Sequence, residues 1–524
     1  MISRQIFKAW LPLAFLLMVV LSVSLTACSA LPSLAGRTAS TYIQETGDTR
    51  LGRAAASANA APGTSGVFAL SAPMDAFAVR VLLMRTAERS LDIQYYIWHA
   101  DITGRLLLDE VLRAANRGVR VRLLLDDNGI SGLDADLASL GQHPNIEVRV
   151  FNPFAQRRFK ALGYLTDFGR VNHRMHNKSL TADAQATLVG GRNIGDAYFG
   201  ADPILDFADV DLLAVGPVTK EVSTAFDAYW NSELAYPFDL FPSPATKQAL
   251  ESLAARYAEL NGAAESQSYV EAVRQAEVVE RLVNQKLPLA WVPVQLVYDP
   301  PAKAQRALEK NEALIDQLVT ALGGAQSQLD IVSPYFVPGQ AGTDVLVQEA
   351  QRGLKIRVVT NSLASTDVIA VHAGYAKRRQ ALLKAGVRLF EIKPDAQTSN
   401  SSEEFKVHKK LIGSSAASLH GKTYAVDRRS IFIGSFNLDL RSIELNTEMG
   451  LVVESATLAG GLSDLLDKEL SKHAYEVRLT SSGALEWIEQ TETGDIHYSS
   501  EPKAGVLSRL GVVVMSWLPI EGLL

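Results

Sequence analysis

The stretch His176-Asn177-Lys178-Ser179-Leu180-Thr181-Ala182-Asp183 occurs a second time as His420-Gly421-Lys422-Thr423-Tyr424-Ala425-Val426-Asp427. Both read H-x-K-x-x-x-x-D. Each is followed by a glycine turn and an asparagine, Gly190-Gly191-Arg192-Asn193 and Gly434-Ser435-Phe436-Asn437. The histidine-to-asparagine offset is 17 in both copies (176 to 193, 420 to 437). One H-x-K would carry little information, because short motifs recur by chance. Two copies with matched glycine and asparagine positions make the pattern specific.

The spacing has a chemical reading. In an extended strand, residues two apart face the same side, roughly 6.6 Å apart. The His176 imidazole and the Lys178 ammonium then share one pocket, as do those of His420 and Lys422, and Asn193 and Asn437 each add an amide donor. Every half offers a base or nucleophile, a cation and a neutral donor. Two halves together make a nucleophile, an acid and a fourfold donor cradle for an anionic oxygen. Because the lysines supply the positive charge, no metal or other cofactor is expected.

Around this pattern lies an ordinary globular composition: 524 residues, 47% hydrophobic and 21% charged. That length allows several domains or one large duplicated body. A net charge of −6 weighs mildly against a nucleic acid as partner. The sole cysteine, Cys28, excludes an intrachain disulfide. Arg4 and Lys8 precede an uncharged apolar run from Ala9 to Leu25, which ends in Leu25-Thr26-Ala27-Cys28. The run has the layout of a secretory signal over residues 1–27. Its ending resembles the lipobox of bacterial lipoproteins, which implies lipidation of Cys28 and an exported protein held at a membrane facing the periplasm. An uncleaved anchor helix is the alternative. Ser29 favours the outer membrane by the same analogy, and the choice between membranes stays open.

Residues 28–73 are rich in Ala, Ser, Gly and Thr and read as a flexible tether, although Gly66-Val67-Phe68-Ala69-Leu70 could pack on the body. From residue 74 helical and strand patterns alternate. Helices are expected over 74–90 and 104–117, and strands over 91–98 and 119–125. The order recurs with helices over 312–322 and 343–352 and strands over 329–332 and 354–359. Arg117-Gly118-Val119-Arg120-Val121 matches Arg352-Gly353-Leu354-Lys355-Ile356. The reading is α/β: two lobes, residues 74–243 and 291–475, related by a pseudo-twofold axis with the active site at their interface. Residues 244–290 form a helical connector. In the tail, 476–524, the apolar segment from Val506 to Leu518 is either a membrane-interfacial helix or a helix packed on a lobe.

These residues carry a family resemblance. The paired H-x-K-x-x-x-x-D motifs, each with G-[GS]-x-N, resemble the phospholipase D superfamily. Ser90 to Trp98, Gly118 to Asp127, Arg174 to Lys178, Thr360 to Asp367 and Leu518-Pro519-Ile520-Glu521 resemble, within it, the cardiolipin synthase C type. The resemblance runs from about Gly66 to Leu524. It implies a phosphatidyltransferase that forms cardiolipin through a covalent phosphohistidine, with phosphatidylglycerol as acceptor and phosphatidylethanolamine as donor. By that analogy His176 is the nucleophile and His420 the acid/base, and pseudo-symmetry leaves the reverse order open. The imidazoles need acceptors on their second nitrogens. Glu448, eleven residues past Asn437, stands where the family places the histidine's partner. Aligning Asp211-Leu212-Leu213 with Gly450-Leu451-Val452 brings Asp209 to the same place. The motif carboxylates, Asp183 and Asp427, are expected to act structurally at a strand end while completing the motif.

The motifs do not separate transfer from hydrolysis. A phospholipase D, or a nuclease, would use the same residues with water as acceptor, and a decayed, non-catalytic scaffold is disfavoured by two intact motifs. His99, His143, His473 and His497 stand in no constellation and read as structural. His372 lies in a subfamily-like string and is a candidate substrate contact. His173 and His408 lie beside basic clusters (Arg157, Arg158, Lys160, Arg170, Arg174; Lys406, Lys409, Lys410) that are either solvated faces or headgroup contacts.

Overall fold

The computed structural model describes residues 31–56, 61–200, 209–241, 247–276, 278, 281, 286–394, 419–518 and 520–524. The apolar run, Cys28, Ser29, His408, Lys406, Lys409 and Lys410 lie outside them.

Two mixed sheets are built on one plan. The first runs, in spatial order, Ala235–Pro237, Ile146–Phe151, Arg120–Gly129, Ser90–Ile97, Ser179–Ala182, Ala186–Gly190, Asp211–Val215, Ser65–Leu70 and Ala290–Val292. The second contains the same central succession: Arg388–Ile392, Lys355–Asn361, Gln328–Val332, Thr423–Val426, Ser430–Gly434, Met449–Glu454 and Val294–Tyr298. It is extended at the Arg388–Ile392 side by Ala474–Leu479, Leu485–Thr491 and Gly494–Tyr498. In each lobe the first three of these common strands are parallel, and the H-x-K hairpin adds antiparallel to the third. The apolar runs at Val121–Leu125 and Ile356–Val359 are buried throughout, as parallel strands covered on both faces must be.

Buried ion pairs repeat with the fold. Arg122 binds Asp92 on the neighbouring strand at 2.7 Å, and Arg357 binds Asp330 at 2.8 Å. The lobes join face to face through an apolar layer drawn from both, including Val67, Val189, Leu212 and Ala214 against Leu296, Ile431, Ile433 and Leu451. The chain itself crosses within three residues: Val292 ends the first sheet, Pro293 intervenes, and Val294 begins an edge strand of the second.

Three boundaries differ from the sequence reading. Residues 31–56 are a strap on the first lobe and not a free tether: Arg37 donates to the Ala235 and Asn231 carbonyls, the Tyr42 amide donates to Asp227, and helix Arg50–Ala56 is tied to Glu88 through Arg50. Ser65–Leu70 is a full sheet member, so the first lobe begins before residue 74. Helices Lys247–Gly262 and Gln267–Gln275 contribute Leu253, Tyr257 and Val273 to the first lobe's core, because their apolar faces need that cover. They are more than a connector.

Among the described residues, no helix is long and apolar enough to cross a membrane. The tail helix Val506–Trp517 packs Val512 beside Leu363 and Ala373 and leaves Val506, Leu507, Leu510 and Trp517 exposed.

Candidate active site

Each H-x-K lies in the extended entry to its hairpin, with the strand beginning one residue later at Ser179 and Thr423. Both turns place two residues in the left-handed region, Asp183 (φ 53°) with Ala184 (φ 49°) and Asp427 (φ 52°) with Arg428 (φ 55°). Aspartate tolerates that conformation, and tight hairpins require it. The Asp183 carboxylate accepts the Glu88, Arg89 and Ser90 amides, and Asp427 accepts those of Gln326, Ser327 and Gln328. Although burial opposes it, this donor set holds Asp427 down at about 2. Both aspartates thus sit at the far end of the hairpin and fasten the entry to a central strand. They are not members of the histidine cluster.

The residue before each histidine is pinned from an equivalent strand end. Asp126 accepts the Met175 amide at 2.8 Å, and Asn361 exchanges two hydrogen bonds with the backbone of Leu419, at 2.9 and 3.1 Å. The sequence reading quoted both residues in its matched strings without giving them this function. Their equivalence was available from the alignment of Arg120–Val121 with Lys355–Ile356.

The lobes exchange carboxylates. Nδ1 of His176, in the first lobe, lies 2.7 Å from Oε2 of Glu448, in the second. Nδ1 of His420, in the second, lies 2.7 Å from Oδ2 of Asp209, in the first. Backbone pairing sets the first contact: the His176 amide donates to the Thr447 carbonyl at 2.8 Å and the Thr447 amide to that of Arg174 at 2.9 Å. Glu448 follows directly, and its carboxylate accepts the Ser435 and Ser442 hydroxyls. At the position equivalent to Ser435 the first lobe has Gly191, where a Cβ would stand 2.2 Å from Asp209 Oδ1. Glycine there makes room for the shorter acid.

Electrostatics separate the two pairs. Burial, with Lys178 and Lys422 nearby, holds His176 well below the ordinary histidine range, and burial pushes Glu448 up to about 7. Burial would also raise Asp209, but His420, Arg192 and Lys422 outweigh it and keep the carboxyl below the usual range. His420 is lowered by burial and by Lys422, against the pull of Asp209. Burial brings Lys178 down to about 7 and also lowers Lys422. The His420 side chain keeps 29% exposure against 9% for His176. With Nδ1–H of a neutral ring donating to its acid, Nε2 carries the free lone pair.

Lys178 and Lys422 donate to the carbonyls of their own histidines and keep further protons for a ligand. The amides depart from the symmetric fourfold cradle. Asn193 accepts the Ile97 amide and donates to the Tyr198 hydroxyl, whereas Asn437 is buried with its Oδ1 unpartnered. Tyr198 sets its ring edge-on to His420 at 5.3 Å, and Tyr96 does so to His176 at 5.0 Å. Neither tyrosine was singled out by the sequence reading. Of the other histidines, His372 is buried against Glu501 and Arg379. His173 faces the Leu445 carbonyl. Of the first basic cluster, Arg157 and Lys160 pair with Asp127, Arg170 with Asp167 and Arg174 with Asp126.

A duplicated α/β chain whose halves each lend a carboxylate to the other's histidine is an enzyme of the phospholipase D class. Within that class the chain belongs to the family described as cardiolipin synthase, PLD-like domain, whose pattern matches residues 81–230 and again residues 318–470. It is 43% identical over 470 residues to cardiolipin synthase C of Escherichia coli (strain K12), spanning 88% of this chain and 97% of that protein. It is 32% identical over 454 residues to an uncharacterized protein of Helicobacter pylori (strain J99), spanning 86% of this chain and 88% of that one. The crystal structure of phosphatidylserine synthase from Haemophilus influenzae Rd KW20 shares the fold, with a TM-score of 0.51 at 14% identity over 81% of this chain and 91% of that one.

Proposed function

We propose that this enzyme is a phosphatidyltransferase that forms cardiolipin, passing a phosphatidyl group from a donor phospholipid to a glycerol hydroxyl of phosphatidylglycerol. The observation that carries the reading is the convergence of two crossed histidine–carboxylate pairs and two buried lysines. The 43% identical relative named cardiolipin synthase C supports the substrate class, and the resemblance of the sequence to that type supplies phosphatidylethanolamine as the donor.

In the first step Nε2 of His176 attacks phosphorus, a P–N bond forms, and the P–O bond to the donor headgroup breaks. His420 gives its Nε2 proton to the departing oxygen. In the second step the acceptor hydroxyl returns a proton to His420, attacks phosphorus and releases His176. Two observations support this order of roles. His176 is the more enclosed and more strongly neutral ring, which suits a nucleophile. His420 keeps an exposed edge and an ionised Asp209 behind it, which suits a group that must be protonated and meet alcohols that come and go. Lys178, Lys422 and Asn437 face the non-bridging oxygens as donors.

The apolar outer face of helix Val506–Trp517 supports a membrane surface as the place of work. The lipobox-like ending at Cys28 supports an exported, lipid-anchored protein. The test is incubation of the purified protein with labelled phosphatidylglycerol, with and without phosphatidylethanolamine. A dimeric lipid product supports transfer, and phosphatidic acid alone means hydrolysis. With an aryl phosphodiester donor, whose leaving group needs no acid, His420→Ala should trap a phosphoenzyme that His176→Ala cannot form, and the opposite result reverses the two roles.

A further inference from the structure

One of the breaks in the pseudo-twofold plan beside the site is a guanidinium. Helix Leu440–Glu444 follows Asn437 in the second lobe, and Arg441 projects from it. The position equivalent to Arg441 in the first lobe, counted from the matched asparagines, is Ala197, which can make none of the contacts below.

Arg441 joins three segments that are remote in sequence. Its Nη2 donates to Oδ1 of Asn172 at 2.7 Å and its Nη1 to the Asn172 carbonyl at 3.2 Å, four residues before His176 in the other lobe. Its Nε donates to the Leu523 carbonyl at 3.0 Å, and its backbone amide to that of Leu524 at 2.6 Å. Its own carbonyl accepts the Leu445 and Asn446 amides, which turn the chain toward Thr447 and Glu448. The next residue, Ser442, donates its hydroxyl to Glu448 Oε1 at 2.8 Å, and its carbonyl accepts Lys303. The 521–524 segment is itself held, because Glu521 forms a two-pronged pair with Arg378 at 2.7 and 2.8 Å.

One arginine therefore ties the extended segment that leads to His176, the helix that carries the Glu448 holder, and residues 523–524 of the tail. We propose that Arg441 is a positioning residue that fixes His176 against Glu448, with the Leu523 and Leu524 carbonyls as its backstop. The pair's geometry depends on two lobes keeping register, and a misplacement near 1 Å is enough to cost about a hundredfold in rate. Arginine suits the task because its planar fork can meet a side-chain oxygen and several carbonyls at once, which lysine cannot. The His420–Asp209 pair has no counterpart clamp at Ala197, so the effect falls on the nucleophile's side of the site and is largest where His176 must be brought to phosphorus. The inference rests on the proposed assignment of His176 as nucleophile.

The test uses the full chain with Arg441→Gln, Arg441→Lys and Asn172→Ala, and follows phosphohistidine formation and breakdown separately, together with steady-state kinetics and the thermal midpoint. Arg441→Gln should slow phosphohistidine formation about tenfold to a hundredfold, leaving its breakdown and KM near wild type. Asn172→Ala should do the same to a smaller extent, and Arg441→Lys should recover only part of the rate. Removal of residues 521–524 should give the Arg441→Gln phenotype, since the guanidinium then loses its backstop. A wild-type formation rate in Arg441→Gln overturns the proposal. So does an equal loss in formation and breakdown that tracks a fallen thermal midpoint, because that marks a purely structural clamp. If Arg441→Gln does not fold, Asn172→Ala decides by the same readouts. If wild type forms no phosphohistidine, the covalent reading fails by itself. Arg441 is then judged on kcat at matched folded fraction: a loss with KM held supports it, and no loss overturns it.

Discussion

Glu448 stands 2.7 Å from a histidine that belongs to the other lobe, His176, and holds it through Nδ1. Neither lobe therefore owns a complete nucleophile. Replacing the carboxylate by an amide keeps the size and removes the ability to stabilise the neutral tautomer and the charge that develops on the ring. Glu448→Gln is expected to lower kcat by about 10²–10⁴-fold. Asp209→Asn should cost a similar factor with a different signature. It weakens the acid, so a phosphodiester with an easily departing aryl alcohol should restore its first step, and should not restore that of Glu448→Gln. Equal rescue of both variants would refute the division of roles.

Stability should carry an imprint of the same carboxyl. Glu448 is pushed up to about 7 by burial, from about 4.3 in an unfolded chain. Between those values the native state keeps a proton that the unfolded chain has lost. The contribution is full below about pH 4.3 and disappears as pH rises through about 7. Lys178, brought down to about 7 by burial, acts in the opposite sense above that pH, where the unfolded chain binds the extra proton up to about 10.4. Urea denaturation should show Glu448→Gln gaining on wild type from about pH 4.5 to 7, by at most about 3 kcal/mol. Lys178→Met should flatten the rise above about pH 7. Parallel curves for wild type and Glu448→Gln would remove the carboxyl from this account.

The motif aspartates should behave as fasteners. Asp183→Ala and Asp427→Ala leave three backbone amides without their acceptor and place alanine in a left-handed turn. Each is expected to cost about 1–3 kcal/mol of stability and to leave kcat per folded molecule near wild type. A variant with an unchanged thermal midpoint and no turnover would place the carboxylate in the chemistry instead.

The tail helix makes a separable prediction. Leu507 is 84% exposed and Trp517 81%, an unusual display for side chains of that size. Leu507→Ser with Trp517→Ser should weaken binding to phospholipid vesicles by at least about tenfold, from the loss of some 1.5–3 kcal/mol per large side chain. Turnover of a short-chain, detergent-dispersed substrate should be unaffected. Unchanged vesicle binding would assign the helix to another partner.

Much of the molecule is written locally. His176, Lys178, His420, Lys422, Asn193 and Asn437 declare themselves by type and spacing, and the strand pattern around Leu91, Val121, Leu329 and Ile356 displays the duplication before any coordinates. These features are legible because strand periodicity and turn chemistry act over a few residues. The strap at residues 31–56 was not legible: its composition is that of a linker, and its order comes from the carbonyls and carboxylates of a lobe distant in sequence. Ser435 and Ser442 were equally silent, since a serine announces a hydroxyl and not the acid it will hold.

The amino-acid order by itself determined two half-sites, the acids available to serve them and the kind of lobe that would carry them. Only the packed structure decided that each acid serves the opposite histidine, that Asn193 is diverted to Tyr198 while Asn437 keeps its Oδ1 without a partner, and that one histidine is sealed while the other keeps an open edge. Those outcomes depend on how two sheets seat against each other through Val189, Leu212, Ile433 and Leu451. Such burial is long-range and without direction of its own, so no local spacing can encode it.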